Sequence, residues 1–174
     1  DNDDPNVPGN TIIGTAAVGA PIVGIVNVKG INGNTATAPI DSNGNFELDV
    51  SDLTAPYILF AQGTVDGESV ELYSTGVDGV INITPITNFI LANALDGDPA
   101  ESFDTWNSAS ITEVALTNAT LEVRDQLDPF LTAIGIDSAT DLISTPFVIG
   151  DAGLDTLLEL VDIDFSGDPD TTTI

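Results

Sequence analysis

Residues 14–50 read GTAAVGAPIVGIVNVKGINGNTATAPIDSNGNFELDV. Apolar strand formers stand on both sides of Gly, Pro, Asn and Asp punctuation, which is the pattern of short antiparallel strands joined by tight turns. Asn45 to Val50 alternates, sending Phe46, Leu48 and Val50 to one face and Glu47 and Asp49 to the other. Just upstream, Thr11 to Lys29 divides into two strands around Gly19-Ala20-Pro21, with Ile12, Val18, Ile22, Val26 and Val28 as core candidates. Asn32-Gly33 and Asn43-Gly44 are the dipeptides that primed hairpin turns favour, because both residue types tolerate positive φ. Pro39 lies between them without an N–H and suits an edge strand or a bulge.

Strands continue over Tyr57 to Val65 and Val70 to Val77, with turns at Asp66-Gly67 and Asp78-Gly79, and Val80 to Ile83 adds one more. At Thr84 the period changes. Thr84 can cap a helix and Pro85 suits its first position, after which Ile86, Phe89, Ile90 and Ala94 share one face. Asp98 with Glu101, and Ser110 with Glu113, have capping-box spacing. The helix after Ser110 presents Val114, Ala119, Val123, Leu127, Phe130, Leu131 and Ile134, with Pro129 as a kink or break. Asp151 precedes a last stripe of Leu154, Leu157, Leu158 and Val161. Val161, Ile163 and Phe165 then alternate with Asp162 and Asp164 as a final strand.

The expected fold class is therefore α+β. An N-terminal antiparallel β-sandwich of about seven strands spans 11–84, and a helical subdomain of three to four helices spans 85–161. A flexible acidic arm or linker covers 1–10, and a final strand and tail cover 162–174. One apolar face per helix implies packing on a neighbouring helix or on a sheet.

Residues GAPIVG, the NGN turn, and DSNGNFELDV with LTAPY beyond resemble the carboxypeptidase-regulatory-like domain, a transthyretin-like sandwich common in exported bacterial proteins. The resemblance covers roughly residues 11 to 75. It implies fold and says little about activity. More loosely, LTAPY, a strand, and NITPITNFILANALDGDPAESF resemble uncharacterised bacterial lipoprotein-like proteins in which such a sandwich precedes a helical segment. That likeness implies architecture and export.

Charge narrows the partners. The 174 residues carry 28 Asp and Glu against 2 Lys and Arg, a formal net charge of −26. Such a surface repels phosphate backbones and anionic membrane, so nucleic acid is excluded as an expected partner. No apolar run approaches the ~20 residues that a membrane span requires. A chain that begins at Asp1 without Met reads as an exported one whose signal or lipid anchor was removed or lies upstream. The expected location is extracellular or at the cell surface.

Catalysis finds little support. There is no His and no Cys, which rules out Ser-His-Asp and Cys-His sites as well as disulfides. Calcium is the one cofactor that the residue pattern offers. Asp162, Asp164, Ser166 and Asp170 occupy oxygen positions of an EF-hand-like loop around Gly167, but position 12 is Thr173 and not Glu. Strand and turn is the competing reading there. Asp41, Asn43 and Asn45 repeat the pattern around Gly44, first of all as a hairpin turn. Lys29, the only lysine, could form an isopeptide bond, or it could be a solvated charge. Phe103 and Trp106 could stack on a sugar, or anchor helices. Asn82-Ile83-Thr84 and Asn118-Ala119-Thr120 match glycosylation sequons.

The expected function is that of an extracellular structural or surface-assembly protein acting by self-association, or with another surface protein, without being an enzyme. Sheet edges are templates for strand addition. Thr11, Ile12, Ile13, Gly14, Thr15, Ala16, Ala17 and Val18 form the candidate assembly strand. Alternatives are a calcium-dependent glycan- or protein-binding module and an accessory domain of a larger exported enzyme.

Overall fold

A computed structural model describes residues 10–137, 139–151 and 153–160. They form an α+β arrangement of six strands and four helices: β1 (Thr11–Thr15), β2 (Val23–Lys29), β3 (Thr35–Pro39), β4 (Asn45–Asp49), β5 (Tyr57–Val65), β6 (Glu68–Gly76), α1 (Pro85–Leu95), α2 (Pro99–Asp104), α3 (Glu113–Ala133) and α4 (Leu154–Leu160). The strands build two antiparallel sheets, a small one of order β1-β4 and a large one of order β3-β2-β5-β6. The final strand expected over 162–174 lies outside the described residues, as does nearly all of the expected arm.

The primed turn falls at Asp66-Gly67, where φ is 51° and 83° and both central residues take the left-handed conformation that a two-residue hairpin needs. It does not fall at Asn32-Gly33 or Asn43-Gly44, where only the glycines have positive φ. At the latter, Asp41 Oδ1 accepts from the N–H groups of Asn43 (2.8 Å) and Asn45 (2.9 Å). An Asx turn begun by Asp41 therefore orders that loop.

The expected strand over 80–83 pairs with β1 in parallel, through Ile13–Val80 and Ala16–Ile83 bridges. Ile81 N–H donates to the Ile13 carbonyl (2.9 Å) and Ile83 N–H to that of Thr15 (3.0 Å). Gly14 permits this approach. A Cβ there would stand 2.1 Å from the Ile81 carbonyl oxygen.

Alternation places Ile12, Phe46 and Leu48 of the small sheet and Val26, Val28, Leu59 and Leu72 of the large sheet in one core, together with Ile81 and Ile83. On the reverse of the large sheet, Ile58, Phe60 and Tyr73 meet Leu91, Phe103 and Trp106. β5 is consequently buried on both faces near its start, which explains the unbroken apolar run YILFA. A third core joins Ile86 and Ile90 of α1 to Val123, Leu127 and Leu131 of α3 and to Leu157 of α4. Because α1 enters both helical clusters, it is the element that binds the helices to the sheet. Each fully buried aliphatic side chain contributes about 1.5–3 kcal/mol relative to exposure.

Helix starts follow local chemistry. Thr84 caps α1 reciprocally with Thr87, and Pro85 occupies the first turn. Asp98 caps α2 by accepting from Ala100 N–H. The cap of α3 is Thr112 and not Ser110, whose hydroxyl instead accepts from Asn107 N–H. Val114 belongs to no core face: at the second helical position it is 70% exposed. Pro129 does not break α3, since Leu127 and Leu131 on either side are held in the third core. Asp151 does not cap α4, which begins after Gly153.

The helical half is tied to the small sheet by the buried amide of Asn82. Its Oδ1 accepts from Thr15 N–H (3.1 Å), its Nδ2 donates to the Thr145 carbonyl (2.6 Å), and its own N–H donates to the Ile143 carbonyl (2.9 Å). Replacing Asn82 with Ala leaves a strand N–H and a loop carbonyl unpaired in the interior. Each such group costs about 1–3 kcal/mol. The expected result is a loss of about 2–4 kcal/mol of unfolding free energy in urea titration; a loss below about 1 kcal/mol would show that water replaces the amide.

Candidate functional site

Among the described residues, the sheet edges are the features most able to engage a partner. An edge strand offers unpaired N–H and C=O groups, so what covers each edge decides what the fold can bind. The helical half covers parts of two edges, although Glu68, Ser69 and Glu71 at the start of β6 remain exposed. At β6, Tyr73 N–H donates to Asn88 Oδ1 (2.9 Å), and Thr87 Oγ1 donates to the Tyr73 carbonyl (3.0 Å). Two side chains of α1 thus stand in for a neighbouring strand. At 80–83, the Asn82 contacts with residues 143–145 do the same.

The opposite edges differ. β3 and β4 end their sheets, with no strand hydrogen-bonded to their outer sides among the described residues, although the two approach each other. They are consecutive in the chain, joined by 40–44, so both open edges lie on one side of the molecule. Gly30 N–H donates to Asn34, and Ile40 N–H to Gly24, which frame the β2–β3 ladder. Antiparallel alternation then turns the main-chain groups of Ala36 and Ala38 toward β2 and those of Thr35, Thr37 and Pro39 outward. All three of these residues are exposed.

Around this edge the large sheet presents Val23, Ile25, Asn27, Gln62 and Thr64 on the same face as Thr35, Thr37 and Pro39. Val23 is 65% exposed and Ile25 is 37% exposed. None of these side chains is charged, in a chain with 28 acids; the charges on that face are Lys29, beside Thr35, and Glu71, beside Gln62. β4 is guarded differently, by the exposed carboxylates of Glu47 and Asp49. On the outer face of the small sheet a groove of about 520 Å³ opens between Ile13, Glu47, Asn82 and Phe147.

The chain's two basic side chains serve the fold. Lys29 Nζ donates to the Asp104 carbonyl at the end of α2 (2.8 Å) and lies 5.8 Å over the Phe103 ring. Arg124 Nη2 donates to the Thr140 carbonyl. Trp106 Nε1 donates to the Pro56 carbonyl (2.9 Å), which gives it the anchoring role. Phe60 and Tyr73 stack with centroids 4.6 Å apart, and Phe103 tilts against both.

The candidate assembly strand folds back into its own molecule. Thr11 to Thr15 are β1, paired with β4 on one side and with 80–83 on the other, while Ile12, Ala16 and Ala17 are inaccessible. Ile13 points outward and Val18 is half-buried. Asp162, Asp164, Ser166 and Asp170 lie outside the described residues. Among the described residues no three Asp or Glu side chains converge as a cation site would require. Sequence reasoning missed Thr87, Asn88 and Asn82 as edge clasps, reading Asn82 only as a sequon. The available signal was a lone amide in each of the apolar runs VINI and ITNFI.

No family model, curated protein or solved structure matches the chain.

The tyrosines report on this packing. Burial first, then Glu71, Asp98 and Asp104, push the Tyr73 phenol up from 10.0 to about 12, and burial with Asp78 raises Tyr57. The folded state holds the Tyr73 proton after the unfolded chain has lost it. This contribution to stability is complete below pH 10 and falls as pH rises toward 12. Phenolate absorbance should lag behind that of the urea-unfolded chain in this window, with a parallel fall in unfolding free energy. Coincident titration curves would show that the ring is solvated.

Proposed function

We propose that the protein is an exported, extracellular structural or surface-assembly subunit that acts by self-association and not by catalysis. Its frame is a β-sandwich of the carboxypeptidase-regulatory-like kind, with 80–83 as the seventh strand, followed by a helical segment. The observation that carries this reading is the asymmetry of the edges: α1 covers β6 around Tyr73 and the 143–145 loop covers 80–83, whereas no helix side chain hydrogen-bonds to the β3 edge among the described residues. A strand edge bare of charge invites pairing with another strand, and the short length of β3 and its Pro39 limit that pairing to a few residues. The lack of any His or Cys supports a non-catalytic role. A donor-strand form of assembly requires a neighbour's residues 11–18 to take the slot that β1 fills. Deleting those residues removes a core strand, so truncation no longer separates assembly from folding.

Copies carrying −26 each repel one another, so association should strengthen as salt or calcium screens them. Light scattering against protein concentration, in calcium and in chelator and at low and high salt, tests the proposal. Growth of oligomers with concentration is expected. A monomer under every condition would overturn it and favour a binding module, for which the groove beside Phe147 is the place to begin; calcium should then raise the melting temperature.

Survival outside the cell predicts protease resistance. Lys29 ends β2 and Arg124 lies within α3, so both tryptic sites sit in hydrogen-bonded elements. The folded protein should stay intact in trypsin while the urea-unfolded chain is cut at both sites. Rapid native cleavage after Arg124 would show that α3 opens locally.

A further inference from the structure

Resting on the self-association reading, we infer that two copies join through their β3 edges about a two-fold axis through Thr37, making one continuous sheet of order β6-β5-β2-β3 and its mirror sequence in the second copy. An isologous contact must be self-complementary, and charge decides where a chain of −26 can meet its own copy. The strip formed by Val23, Ile25, Thr35, Thr37, Pro39 and Gln62 holds no carboxylate; on the same face Lys29, beside Thr35, is drawn to the Asp104 carbonyl and Glu71 lies three strands in from the edge, so two β3 edges can approach without setting carboxylate against carboxylate. The main chain fits as well. Outward N–H and C=O groups belong to Thr35, Thr37 and, for the carbonyl alone, Pro39. With Thr37 opposite Thr37, the two central residues exchange both hydrogen bonds, and each Thr35 N–H meets the Pro39 carbonyl of the other copy. The donor that Pro39 lacks is missed only at the ends of this ladder. The pairing also brings the exposed Val23 and Ile25 of each copy close to the seam on one face. The flanking acids are Asp41, Glu47 and Asp49, so the dimer should tighten with salt.

The full chain, free of cysteine, permits a clean test. Opposed residues in such a pair have Cα atoms about 5.5 Å apart, inside the disulfide range. Thr37→Cys should form a disulfide-linked dimer under mild oxidation, and Thr117→Cys on the exposed surface of α3 should not. Thr37→Pro, which removes an N–H that no intramolecular strand uses, should raise the dissociation constant at least about tenfold while monomer melting is retained. If the wild type associates but Thr37→Cys gives no dimer and Thr37→Pro associates as the wild type does, the β3 contact is overturned and the assembly reading stands. If the wild type never associates, both fall.

Discussion

The arrangement depends on how main-chain groups at sheet edges are satisfied away from water. The six strands of the described residues lie in two open sheets with several edges, and a buried unpaired peptide group costs as much as a lost hydrogen bond. Here the cost is met by side chains with paired donors and acceptors. Thr87 and Asn88 serve Tyr73, and Asn82 serves Thr15 and the 143–145 loop. Each clasp sits where an apolar core already holds the backbone, so the polar contact sets register and the apolar contact supplies most of the stability. Core and clasp together explain why α1, with residues in both helical clusters, cannot be removed without opening the large sheet.

Charge shapes the molecule from the opposite direction. With 28 acids and two bases, ion pairs can contribute almost nothing to cohesion, and both bases are used on carbonyls in any case. Among the described residues the acids instead cap helices and begin turns, as Asp98 and Asp41 do, or stand in solvent, apart from Asp155, which is buried and accepts from Gly150 N–H. A surface so uniformly negative makes neutral ground informative. The bare face around β3 is distinguished less by hydrophobicity than by the lack of carboxylates, which are common almost everywhere else.

Much of this was legible in the residues. Period-two alternation gave Phe46, Leu48 and Val50 as core, and Ile12, Ile22, Val26 and Val28 are inaccessible as expected. Thr84-Pro85 and Asp98-Pro99 marked helix starts because a cap is a local device, readable within four residues. What stayed hidden was non-local. Whether 80–83 pairs in parallel or antiparallel depends on where the chain crosses between sheets, which no window of residues records. Val114 shares the spacing of the buried stripe and yet is exposed, because only packing decides which turns of a long helix meet a neighbour. Pro129 carried a breaking signal that tertiary contacts overrode. The edge clasps were illegible for the same reason, since an amide in an apolar run names no partner. The open β3 edge was half legible: Pro39 pointed to an edge, but not to which edges the helices would cover.

The two clasps differ in reach along the chain, and the difference orders their formation. Thr87 and Asn88 find Tyr73 only 14 and 15 residues back, a short loop to close. Asn82 meets Thr145 and Thr15 across 63 and 67 residues. Loop closure becomes costlier with length, and folding slows as contacts become less local. During synthesis the β6 edge can be sealed as soon as α1 has emerged, while the 80–83 edge stays bare until residues near 145 follow. For that interval the nascent chain carries one adhesive margin that the finished protein conceals, and the pace at which α3 is made sets how long it is shown.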